Sequence, residues 1–147
     1  LSAQHVDGLD TTTLVDIFRA EEDACLLGTD AVRDGVDVPG RSLRLIVYER
    51  EPWQRHDILH RARRAALVAE GGRASDYDDA VARLRLRQAF GRLIRRAEDR
   101  GVFVLLDRRM PSRLLAAFPE GVAPRRVGLA EAVAETTAFL NAGGRPL

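Results

Sequence analysis

Gln88-Ala89-Phe90-Gly91-Arg92-Leu93-Ile94-Arg95 carries the pattern from which the rest of the chain can be read. At about 3.6 residues per helical turn, Gln88, Gly91, Arg92 and Arg95 stand at i, i+3, i+4 and i+7 and share one face. Phe90, Leu93 and Ile94 fall on the other side, where Leu86 and Ala97 extend the apolar stripe. The spacing predicts a long helix over 76–97 that sets one side into a core and presents two guanidinium forks on the other. Paired guanidiniums suit the charge that develops on a transferring phosphoryl group, and a glycine beside them removes bulk where something must approach closely. Taken alone, the same helix also reads as a solvated face whose arginines pair with acidic neighbours such as Glu98 and Asp99.

The segments on either side alternate between strand and helix signals. Residues 1–4 read as the end of a strand. Asp10 is a suitable N-cap for a helix over 11–21, with Leu14, Ile17 and Phe18 inward. Residues 24–27 form a short apolar run ending at Gly28, which predicts a strand buried on both faces, with Cys25 as a small core hydrophobe. A second strand is expected over 43–48, and a charged loop over 49–56 then leads to a helix over 57–69 that Gly71-Gly72 ends. After the arginine helix come a strand over 102–106, a short helix from Pro111 to Phe118, a small strand near 125–127 and a last helix over 129–141. Strands separated by helices imply crossover connections and a parallel sheet. Ligands on such sheets sit at the carboxyl ends of the strands, which is where Thr29 and the 49–56 loop would stand.

Bulk properties narrow the function classes. The 147 residues suit one domain, 1–147, and the opening Leu1 in place of methionine suggests a piece of a longer polypeptide. All 23 basic residues are arginine, against 22 acidic ones, for a net charge of +1. A total so near neutral argues against a free-standing, charge-driven DNA binder. The single cysteine excludes an internal disulfide, and His5, His56 and His60 stand at no metal-ligand spacing. No metal site, membrane span or secretory signal is read, and a cytoplasmic location is expected.

The pattern Gln-x-x-Gly-Arg-x-x-Arg resembles the last motif of superfamily 2 helicases. Gly28-Thr29 followed by Asp34-Gly35-Val36-Asp37-Val38-Pro39-Gly40 resembles the preceding motif in the form used by the DinG/XPD branch of ATP-dependent DNA helicases. Asp99-Arg100-Gly101-Val102-Phe103-Val104-Leu105-Leu106-Asp107-Arg108-Arg109 is similar to the same branch. The three segments come in the expected order and cover roughly residues 1–120.

This resemblance implies a RecA-like, three-layer α/β fold with a mainly parallel sheet flanked by helices, here the second motor domain of a helicase. It implies that Arg92 and Arg95 reach across a cleft to the γ-phosphate of ATP, with Gln88 bonding within the cleft. Gly35, Asp37 and Gly91 would stand near the nucleotide, and Thr29 would meet the DNA backbone. Trp53 lies in a loop flanked by Arg50, Arg55 and His56; it could stack a base of single-stranded DNA or pack beneath the loop. ATP and Mg2+ would be held mainly by an N-terminal RecA-like partner domain, because a chain without lysine contains no phosphate-loop motif. Arg33 and Asp34 depart from the aromatic residue and glutamate more common in the branch. That departure is the best support for the alternative, a non-catalytic nucleic-acid-binding module on a helicase-derived fold. A plain interaction domain, its arginine-rich helix docking an acidic partner, is a further option.

Overall fold

The computed structural model describes residues 1–21, 23–29, 32, 38, 43–53, 57–96 and 99–142. Along the chain they form β1 (Ser2–Ala3), α1 (Thr11–Ala20), β2 (Leu26–Leu27), β3 (Leu45–Tyr48), α2 (Ile58–Ala69), α3 (Ala74–Leu93), β4 (Val102–Leu105), a 3-10 helix (Ser112–Ala117) and α4 (Leu129–Asn141). Both strand pairs are parallel: β1 lies on β2, and β3 on β4 with Leu45 opposite Val102 and Tyr48 opposite Leu105. Parallel neighbours need a crossover; α1 supplies the first, and α2 with α3 the second. The order is the α/β alternation of a RecA-like domain.

Local chemistry explains the helix starts. Asp10 accepts the Thr13 N–H at 3.0 Å, and Asp57 accepts the His60 N–H at 2.7 Å, so each carboxylate satisfies a backbone donor that the helix cannot. After α2 the chain turns at Gly71, whose φ of +89° is a conformation open to glycine.

Two apolar clusters hold the described residues together. Val15 and Phe18 of α1 meet Val32 and Val38, with Ala24, Leu26 and Leu43 packed around them. Ala82 and Leu86 of α3 meet Met110, Leu114 and Ala117, bordered by Tyr48, Phe103, Leu105 and Phe118. Phe118 links helix to sheet, its ring 5.5 Å from Phe90 and 5.6 Å from Phe103. The buried stripe of α3 is Asp79, Ala82, Leu86, Ala89 and Leu93, a repeat of three and four residues that keeps one side of a helix inward. Asp79 is carried inside by that repeat, and its Oδ2 accepts from Arg113 Nε.

Several expectations are corrected. The arginine helix starts earlier and ends at Leu93, not near residue 97. Ile94 is extended, and the Asp99 carboxylate takes the N–H groups of Arg95 and Arg96, both at 2.8 Å. A side-chain acceptor thus replaces the i−4 carbonyls and stops the helix. Ala97 and Glu98 lie outside the described residues. Cys25 is exposed, not a core residue. The reason is period-two alternation in a strand, which turns Ala24 and Leu26 toward α1 and leaves Cys25 and Leu27 outward. In α1 the buried set is Leu14, Val15 and Phe18, with Ile17 at its margin.

No strand forms near 125–127. Side chains anchor that segment instead of ladder bonds. Arg125 pairs with Glu131 at 3.1 Å and with Glu135, while Arg126 donates to the carbonyls of Arg108 (3.3 Å) and Met110 (2.8 Å).

Leu86 is fully buried and Leu84, two residues away, is 52% exposed. Leu86→Ala is therefore expected to destabilise the fold by about 2–5 kcal/mol, whereas Leu84→Ala should stay within about 0.5 kcal/mol. Denaturant unfolding midpoints of the two variants check the difference.

Candidate functional site

The last two turns of α3 bring three of the motif residues together. Gln88 and Gly91 are exposed and Arg92 is half-buried. They flank the buried stripe, so packing Leu86, Ala89 and Leu93 inward turns them outward. Arg95 is exposed but stands beyond the helix end, so the four-residue helical stripe is broken after Arg92. The Asp99 carboxyl is held below the ordinary aspartate range by the N–H groups of Arg95 and then Arg96. Asp99 thereby fixes the backbone that carries Arg95; the bond is to the main chain and not to the guanidinium.

Gly91 was expected to permit a close approach. A Cβ built there meets nothing within 4 Å, so no neighbour among the described residues requires the glycine.

Trp53 follows β3 and is 39% exposed. Its segment is tied to α3 by Arg85, whose Nη1 donates to the Pro52 carbonyl at 3.3 Å and the Trp53 carbonyl at 3.2 Å. Arg85, Gln88 and Arg92 stand at i, i+3 and i+7 and so share one flank of the helix. Arg85 therefore sets the Trp53 segment on the same flank as the motif. Arg85 had no role in the sequence reading. The signal available was its helical register with Gln88, but its partners lie 33 and 32 residues away.

Thr29 follows β2 and is exposed. Gly28 before it is needed for close approach, because a Cβ there would come 2.2 Å from Val32 Cγ2. The Thr29 N–H and hydroxyl both donate to Gln4 Oε1 at 2.9 Å. Thr29 and Trp53 each follow the carboxyl end of a strand, as expected, but of different strand pairs. Gly35, Asp37, Arg33, Asp34, Arg55 and His56 lie outside the described residues.

Two further polar groups were not foreseen. Glu51 and Asp107 follow the carboxyl ends of the paired strands β3 and β4 and share a hydrogen bond. Burial, then that bond, raises the Glu51 carboxyl above the ordinary glutamate range. The Arg109 N–H at 2.8 Å, then the bond with Glu51, lowers Asp107. The shared bond thus favours the proton on Glu51 and the charge on Asp107. Elsewhere His60 is buried, its Nε2 lying 2.9 Å from Asp78 Oδ1, while Asp78 Oδ2 accepts from Arg64 Nε at 3.0 Å. That group ties α2 to α3.

Comparison with known proteins gives the class. Residues 2–125 match the helicase C-terminal domain family, to which this chain belongs. Its relatives place it in the DinG branch. It is 43% identical over 110 residues to the ATP-dependent helicase DinG of Mycobacterium tuberculosis, covering 74% of this chain and 17% of that protein. Identity is 37% over 129 residues to the ATP-dependent DNA helicase YoaA of Escherichia coli (82% of this chain, 20% of the relative). It is 34% over 114 residues to a Bacillus subtilis protein named 3'-5' exonuclease DinG (75% and 12%). The chain thus spans a fifth or less of the length of these curated relatives. No solved structure matches. No described helix is long and apolar enough to cross a membrane.

Two outcomes are expected from this geometry. Gly91→Ala should stabilise the chain by about 0.5 kcal/mol, because alanine suits a helix better and the space is open; a thermal melt reads the sign. For Glu51, a raised folded-state pKa means that the folded form holds its proton more tightly than the unfolded chain. Its contribution is present at low pH and is lost as pH rises through the folded value. Glu51→Gln keeps a donor toward Asp107 and cannot ionise. It should therefore raise the melting temperature over wild type at about pH 7, and the gain should vanish at about pH 4.

Proposed function

We propose that this chain is the second motor domain of an ATP-dependent DNA helicase. In this reading ATP and Mg2+ bind between it and an N-terminal RecA-like domain that carries the phosphate loop. Arg92 and Arg95 meet the γ-phosphate as arginine fingers, and Gln88 bonds within the cleft. Gly35, Asp37 and Gly91 lie along the nucleotide, and the open space at Gly91 admits the partner domain. Thr29 and Trp53 contribute to the track of the single strand. Cleft closure on ATP and reopening after hydrolysis would shift that track along the strand, in the cytoplasm. By itself the chain would not hydrolyse ATP at a useful rate, having no lysine for a phosphate loop.

The observation that carries this reading is the Arg85 bridge. It joins the Pro52–Trp53 carbonyls to the helix flank that bears Gln88 and Arg92, so a strand-contacting loop and a phosphate-sensing helix would move as one body. The names of the relatives, ATP-dependent helicases among them, support the same chemistry.

The test is DNA-stimulated ATPase activity of the full polypeptide that carries this chain. Arg92→Ala and Arg95→Ala should each lower kcat by about a hundredfold or more, with ATP binding largely kept, as expected for arginine fingers. Unchanged turnover in folded variants would overturn the arginine roles.

A further inference from the structure

At the carboxyl ends of β1 and β2, two side chains 25 residues apart meet in a way that the helicase reading does not require. Gln4 stands just past β1, where its own N–H completes the ladder to the Leu27 carbonyl at 2.9 Å. Its side-chain oxygen accepts both the N–H and the hydroxyl of Thr29, each at 2.9 Å. Its Nε2 donates to Thr11 Oγ1 at 3.0 Å, at the start of α1. Thr11 thus fixes the orientation of the amide, oxygen toward Thr29. One oxygen held by a backbone N–H and a hydroxyl is also the arrangement that a non-bridging phosphate oxygen seeks at a turn. Thr29 is exposed and Gln4 half-buried, so solvent reaches the position from outside.

We propose that the Gln4 carboxamide is a built-in occupant of the strand-phosphate position. It holds the two Thr29 donors in aim while no strand is bound, and it must release them when a phosphodiester oxygen arrives. This rests on the reading that Thr29 meets the nucleic-acid backbone. The main chain at Gln4 is anchored by the ladder, so the exchange needs only a rotation of the side chain. Gln4 consequently weakens resting affinity for the strand, and it preorganises the hydroxyl that receives it.

The experiment is single-stranded oligonucleotide binding to the full polypeptide, comparing wild type with Thr29→Val, Gln4→Met and Gln4→Glu at low and high salt. Thr29→Val removes the hydroxyl and should weaken binding about threefold to tenfold. Gln4→Met has similar volume with no acceptor, and should tighten binding about twofold to fivefold, since the competitor is gone. Gln4→Glu places a charged, stronger acceptor on the same donors. It should weaken binding by about tenfold or more at low salt, with the gap narrowing at high salt.

A merely structural tie would make Gln4→Met weaken binding. A folded Gln4→Met variant that binds no tighter than wild type, while Thr29→Val binds more weakly, overturns the role of Gln4 alone. An unchanged affinity in Thr29→Val overturns the reading of Thr29 and this inference with it. Should Gln4→Met not fold, Gln4→Glu decides by itself, and wild-type affinity there overturns the proposal.

Discussion

The inward packing of α3 governs where Gln88, Gly91, Arg92 and, through Arg85, the Trp53 segment stand. Ala82, Leu86, Ala89 and Leu93 lie on one side of the helix, and Ala82 and Leu86 meet Met110, Leu114 and Ala117. With the roll of the helix fixed by that contact, the flank with Arg85, Gln88 and Arg92 has one available direction. The small residues matter as much as the leucines. Ala82 is fully buried and Ala89 nearly so, which lets the helix lie close to its neighbours. The buried Asp79 belongs to the same stripe and is compatible with it because Arg113 meets its carboxylate.

From that helix the arrangement spreads through side-chain bonds to backbone carbonyls and N–H groups. Arg85 holds the segment after β3, Asp99 holds the turn after α3, and Arg126 holds the segment after β4. Connections at strand ends have backbone groups without ladder partners, and charged side chains satisfy them here. This is also a use for the many arginines of the chain that has nothing to do with phosphate. Arg85, Arg113 and Arg126 position structure through bonds to carbonyls and a carboxylate.

Both strand pairs present polar groups at their carboxyl ends. Thr29 with Gln4 stands at one, and Glu51 with Asp107 at the other. In the first, two donors are shared by one amide oxygen; in the second, two carboxyls share a hydrogen bond that favours the proton on Glu51.

The sequence alone carried whatever depends on local periodicity. The limits of α1 and α4, the cap Asp10, and the strand–helix alternation follow from spacing and from short-range hydrogen-bonding capacity. The three motif segments in order also revealed the family before any coordinates. What needed the tertiary structure are pairings between residues distant in the chain or dependent on strand neighbours. Gln4 and Thr29 meet because β1 and β2 are adjacent, and Arg85 reaches Trp53 because α3 crosses the end of β3. The stop of α3 at Leu93 depended on the Asp99 carboxylate outcompeting the next helical carbonyls, and the exposure of Cys25 on which face of β2 meets α1. A period states which residues share a face. Only the packed fold states what that face meets, because each of these contacts is settled by competition among groups that no local pattern brings together.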